Sequence, residues 1–131
     1  MKKVALVLSL LMLIFLKIKA QDCNGGNKQE RRVLKLVNSL PEAVKENKFR
    51  KSAHSTIFLR AYIQNKPTKT DKYYYVSISE EKGERLFTYG WYKVNSGTYM
   101  ISYYDVINGE TMSLKKWRTH KKQLSKHKPL S

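Results

Sequence analysis

Beyond its first thirty residues the chain alternates apolar and polar positions with two different periods, and the change of period divides it into helices and strands. From Gln29 to Ser39, Val33, Leu34 and Val37 recur at spacings of three and four, which predicts a short helix with one apolar face. A second helix begins at SLPE. There Ser39 is placed to cap, Pro41 suits a first turn and Glu42 stands three residues beyond the cap. This helix is expected to reach about Lys51 and to bury Leu40, Ala43, Val44 and Phe49. From Thr56 the period becomes two, with Ile57, Leu59, Ala61 and Ile63 alternating against Phe58, Arg60 and Tyr62. That is the pattern of a strand running to Gln64.

After the polar loop NKPTKTDK three further strands are predicted, over Tyr73–Ser79, Arg85–Val94 and Thr98–Val106. A short return strand, Glu110–Met112, follows Asn108-Gly109. Gly83, Gly97 and Gly109 fall in the intervening turns, where glycine tolerates positive φ. Ser113 then caps a last helix carrying Leu114, Trp117 and Leu124 on one side, with Trp117 as a packing anchor. The expected class is α+β: N-terminal helices on a four- to five-stranded antiparallel meander, with a short C-terminal helix. Cystatin-like and nuclear-transport-factor-like domains share that outline, which assigns no activity.

The strands concentrate tyrosine, and the turns decide where the rings point. Two three-residue loops, Glu81-Lys82-Gly83 and Asn95-Ser96-Gly97, would place Tyr73, Tyr75, Tyr89, Trp91, Tyr99 and Tyr103 on one face with Lys93 and Asp105. The rows Tyr75–Tyr89–Tyr103 and Tyr73–Trp91–Ile101 would then cross the sheet. Facing aromatic pairs stabilise a sheet with no ligand present. An open aromatic face could also stack sugar rings or unpaired bases, or receive a protein. These six aromatics are the candidate ligand-binding residues. A one-residue change in either loop would break the common face.

The N-terminal segment MKKVALVLSLLMLIFLKIKA differs in kind. Lys2 and Lys3 precede an apolar run from Val4 to Leu16, and Ile18 and Ala20 suit a cleavage site, so residues 1–20 are expected to be a signal peptide. The run is shorter than the ~20 residues that cross a bilayer. Residues 21–28 are expected to be a flexible segment, 29–124 a single domain and 125–131 a disordered basic tail. Export, to the periplasm or beyond, follows from this reading. Cys23 is the only cysteine, so it stays free or links two chains in a dimer. Asp22 immediately before it departs from a lipidation signal.

Charge adds one further candidate. The formal net charge is +16, and loss of Lys2, Lys3, Lys17 and Lys19 lowers it to +12. Such a chain favours polyanions. Lys115, Lys116, Arg118, Lys121 and Lys122, in KKWRTHKK, are the candidate contacts. Catalytic patterns are scarce. His54, His120 and His127 show no metal-binding spacing, and no glycine-flanked serine or phosphate loop is present. No cofactor or metal is expected. Asp105, in YYDVINGE, is the sole acid at the end of an aromatic strand. It reads as a carboxylate helping to form the turn, and only in a pocket with Tyr89 or Tyr103 would burial raise its pKa and make it a base.

Taken as a set, SLPE, YYYVSISEEKGERLFTYGWY and MISYYDVINGETMSLKKWR resemble a family of small exported proteins of Bacteroidota, over roughly Val33 to Arg118. The resemblance implies a Gram-negative envelope or secreted setting and a compact α+β domain, and it carries no functional residues. The functional expectation is an exported, non-enzymatic binding or interaction domain for a protein or glycan. Polyanion binding and inhibition of a secreted hydrolase are the alternatives.

Overall fold

The computed structural model describes residues 26–127. The expected signal peptide, Cys23 and residues 128–131 lie outside them. Helix α1 (Lys28–Asn38) starts at an Asn27 cap whose side chain accepts from Glu30 N–H, while Glu30 reaches back to Gly26 N–H at 2.8 Å. Helix α2 (Pro41–Ser52) has Leu40 as its N-cap and no side-chain cap. The expected Ser39 cap does not form, because Ser39 closes α1 and donates to the Lys35 carbonyl at 2.6 Å. His54, at φ 56°, turns the chain out of α2.

Five strands follow: β1 (Arg60–Asn65), β2 (Tyr73–Lys82), β3 (Arg85–Asn95), β4 (Ile101–Asp105) and β5 (Glu110–Ser113). They form one antiparallel sheet in the order β1-β2-β3-β4-β5, and helix α3 (Leu114–Lys126) ends the described chain. The class is therefore α+β, with one helix C-terminal to the sheet. Helix α3 starts where expected, at a Ser113 cap that accepts from Lys116 N–H. It continues through Lys126, into the segment read from sequence as tail.

All three helices pack on one face of the sheet. The core joins Val33 and Val37 of α1, Leu40 and Ala43 from the start of α2, and Ala61, Tyr74, Val76, Ile78, Tyr92 and Val94 of the sheet. Trp117 of α3 lies stacked on Tyr103, with centroids 4.6 Å apart and planes at 10°, and meets the Tyr92 ring edge-on. It is the expected anchor. Two expected core residues are not core: Val44 is 53% exposed and Phe49 66%. The inward stripe of α2 and its N-cap is Leu40, Ala43, Asn47 and Arg50, so two of its four residues are polar. Leu124 is likewise exposed, on the distal part of α3.

Turn geometry sets the faces. The β2–β3 loop has two residues, Gly83 and Glu84, and Lys82 opposes Arg85. A bulge between the pairs Ile78–Gly90 and Ser79–Thr88 leaves Tyr89 without a partner. The shorter loop and the extra residue together shift the ladder by an even number of positions. Beyond the bulge Tyr74, Val76 and Ile78 therefore share a face with Tyr92 and Val94, opposite Tyr73, Tyr75 and Trp91, and the helices cover it; every cross-strand partner differs from the one that three-residue loops would give. The β3–β4 connection is longer than expected. Asn95 Oδ1 accepts from Gly97 and Thr98 N–H, and Asn95 N–H donates to the Met100 carbonyl. Tyr99, not Gly97, takes the left-handed position, at φ 58°. Val94 consequently faces Ile101, an odd shift that turns β4 over.

Candidate functional site

The face of the sheet away from the helices carries Tyr62 from β1, Tyr73 and Tyr75 from β2, Trp91 and Lys93 from β3, and Tyr104 from β4. Each is partly exposed. Lys93 lies at the centre. Its ammonium sits 4.7 Å from the Tyr104 centroid, 4.9 Å from Tyr75 and 5.5 Å from Tyr73, so three ring faces surround one cation. Tyr75 and Tyr104 meet edge to face at 5.4 Å. Asp71 fixes one wall, accepting from the Tyr75 hydroxyl at 2.8 Å and from Tyr73 N–H at 3.1 Å. Beside this cluster Ser77 and Ser79 are fully buried under their neighbours. Gln64 donates to Ser77, and Ser79 bonds Thr88.

Of the six aromatics picked from sequence, Tyr73, Tyr75 and Trp91 lie on this face. Tyr103 does not, since the β3–β4 loop turns it to the covered side against Trp117. Tyr99 sits in the loop with the Arg32 guanidinium 3.9 Å above its ring, packed against the core. Tyr89, at the bulge, turns toward the helices and accepts from Arg50 at 2.9 Å. The rows Tyr75–Tyr89–Tyr103 and Tyr73–Trp91–Ile101 do not form: Tyr75 opposes Lys93, Trp91 opposes Ser77 and Tyr73 opposes Asn95. Sequence reasoning missed Tyr104, Tyr62 and the central role of Lys93. The alternation of β1 already placed Tyr62 opposite the core residues Ala61 and Ile63, and only the β4 inversion hid Tyr104.

The basic candidates all fall on α3. Arg118 is engaged by the Glu42 carboxylate of α2, and Lys121 sits 5.2 Å from the Trp117 ring. Lys115, Lys116 and Lys122 are exposed.

Glu30, Glu42, Glu80 and Asp105 are committed to structure. Asp105 accepts from Ile107 and Asn108 N–H and from Asn108 Nδ2, closing the turn into β5. The Asn108 side chain, followed by these main-chain donors, holds its pKa below the usual range, as suits the turn-forming carboxylate and not the base of a pocket with Tyr89 or Tyr103. Glu80 is lowered by Arg50, which also bonds Glu46 and Tyr89. Glu30 is lowered by Lys66 and by the Gly26 and Asn27 main chain. For Glu42 burial pushes the pKa up, and the hydrogen bonds from Arg118 and its own main chain outweigh it. Among the described residues no group of three or more His, Cys, Asp or Glu is placed to hold a metal.

These shifts set a pH dependence. A carboxyl whose folded pKa lies below its unfolded value adds stability that is complete above the unfolded value, and loses it as pH falls through the folded one. The unfolded glutamate reference is 4.5. The melting temperature is therefore expected to be level near neutral pH and to decline as pH drops below about 4.5. Glu42→Gln should lower it at neutral pH and flatten the acid limb. Calorimetry across that range is the check, and a wild-type curve level down to about pH 3 would contradict it.

A groove of about 1030 Å³ runs along the outer edge of β1, between Leu34 and Arg31 of α1 and Phe58, Arg60 and Ile63. Its floor is occupied by two amides. Asn47 accepts from Leu59 N–H at 2.8 Å and donates to the Leu59 carbonyl at 3.0 Å, and Asn38 accepts from Ala61 N–H at 2.8 Å. The amides take the place of a neighbouring strand.

Comparison with family models, with curated proteins and with solved structures yields no match to this chain.

Proposed function

We propose that the chain is an exported, non-enzymatic interaction domain that binds a protein on the uncovered face of its sheet. The observation carrying this reading is the cluster of Tyr62, Tyr73, Tyr75, Trp91 and Tyr104 around Lys93, left partly exposed by helices that all pack on the opposite side. Interface centres are enriched in aromatic side chains. Three of these rings turn their faces to Lys93, leaving no broad flat platform for a sugar, and this favours a protein over a glycan. The N-terminal lysines and apolar run support export, and the commitment of Asp105, Glu30, Glu42 and Glu80 to turns and ion pairs supports a role without catalysis.

A photoreactive benzophenone side chain at Trp91, irradiated in the intact host, should trap a discrete protein adduct. The same group at the exposed Val44 of α2 should trap none. Equal yields from the two positions, or an adduct from Val44 alone, would place the partner elsewhere. A second reading, polyanion contact through α3, has the exposed Lys115, Lys116 and Lys122 in its favour. It requires binding that weakens steeply with salt.

A further inference from the structure

The two outer strands of the sheet are each partly protected. At the start of β1 the edge is capped, Asn47 bonding Leu59 and Asn38 bonding Ala61 N–H. Strand β5 is four residues long and runs directly into α3. Short or covered edges of this kind resist pairing with other chains. An unprotected stretch is the first part of β3. Strand β4 pairs only with Tyr92, Lys93 and Val94, so from Arg85 to Trp91 β3 has β2 on one side and, among the described residues, no strand on the other. Leu86 and Phe87 are each 44% exposed and Tyr89 57%.

Alternation along the ladder fixes which main-chain groups face outward. A two-residue hairpin loop makes the flanking pair, Lys82 and Arg85, a hydrogen-bonded one. Hydrogen-bonded and non-bonded pairs then alternate, so Arg85 and Phe87 turn their N–H and C=O to β2, while those of Leu86 and Thr88 point away from it.

We propose that this edge pairs with the same edge of a second copy, antiparallel, about a two-fold axis at Phe87. Leu86 of each copy then opposes Thr88 of the other, and the two exchange their outward N–H···O=C bonds in both directions. Phe87 meets Phe87 of the second copy as a close non-bonded pair, and Arg85 lies across from Tyr89, whose hydroxyl accepts from Arg50. The segment is thus complementary to its own reverse. Like charges do not meet, since Glu84 comes opposite Gly90. The hairpin tip also balances Glu81 and Glu84 against Lys82 and Arg85, in a chain that is elsewhere strongly basic. The bulge at Tyr89 lies just beyond the last outward pair and ends the exchange of main-chain hydrogen bonds there, giving a closed dimer. This surface is separate from the tyrosine face, and either can fail without the other.

Sedimentation equilibrium of the protein as its host produces it should give twice the chain mass, with Cys23→Ser unchanged. In that background Phe87→Cys should form an intermolecular disulfide on mild oxidation, because directly opposed Cβ atoms stand ~4.5–5.5 Å apart. Arg85→Cys, which faces Tyr89 and not its own copy, should not. Leu86→Pro removes an outward N–H that β2 does not use, and should weaken the dimer by about tenfold or more while the monomer melts as before. A monomer at every accessible concentration overturns the proposal. So does a dimer that ignores Leu86→Pro, or one that crosslinks as readily through Arg85→Cys.

Discussion

Tyr92→Ala is expected to lower the melting temperature by roughly 15–30 °C, the largest effect of any single truncation in the domain. Tyr92 is 3% exposed and lies where all the layers meet. Its strand partners are Val76 on β2 and Tyr103 on β4. Its ring meets Tyr103 edge to face at 5.9 Å and Trp117 at 6.1 Å. Gly90 admits it: a Cβ there would stand 3.3 Å from the Tyr92 hydroxyl, tight for any side chain. Truncating a buried aromatic to alanine costs about 3–5 kcal/mol, against a whole-domain stability of about 5–15. The ring also joins the sheet to α3, so near-ultraviolet dichroism from Trp117 should weaken along with the thermal midpoint. Tyr92→Phe keeps the ring and should cost about 1 kcal/mol or less. A Tyr92→Ala protein melting within a few degrees of wild type would mean that Trp117 docks without it.

The elements were legible in the chain because hydrophobic period and turn residues are local signals. The order of helices and strands, the Ser113 cap and the anchoring by Trp117 all follow from them. The grouping of Tyr74, Val76 and Ile78 with Tyr92 and Val94 also agrees with the register that three-residue loops imply, but for a reason the residues do not display, and which face the helices cover was not legible at all. The Gly83-Glu84 loop is one residue shorter than supposed, and the Tyr89 bulge restores the parity. The site was harder to see. Asn95 organises a longer connection with its side-chain oxygen, and Tyr99 accepts a left-handed conformation that glycine ordinarily takes. That one loop exchanges Tyr103 for Tyr104 on the open face. Helix α2 misleads in another way. Its apolar Val44 and Phe49 face solvent because Asn47 and Arg50 are needed inward, one to cap β1 and the other to meet Glu80. Binary patterning cannot register an inward face made of hydrogen bonds.

That polar face leads to the second large effect. Asn38→Ala combined with Asn47→Ala should cost about 3–9 kcal/mol, since three main-chain groups lose partners at about 1–3 kcal/mol apiece. Two of them belong to Leu59, which is 6% exposed, and the third to Ala61, at 8%. Asn47→Asp separates hydrogen bonding from shape: it keeps the acceptor for Leu59 N–H and sets a carboxylate against the Leu59 carbonyl. It should therefore destabilise although nearly isosteric. The consequence for assembly is larger still. A chain that pairs through β3 alone closes on itself as a dimer, whereas one that also offers a bare β1 edge has two ways to continue a sheet. Pairing through both edges does not close, and open pairing yields fibres. The double variant is expected to scatter light in a concentration-dependent manner under conditions where wild type stays clear. Adding Leu86→Pro should suppress that scattering without restoring the lost stability. If the double variant stays clear near its melting temperature, Asn38 and Asn47 serve stability alone and are not a guard on the edge.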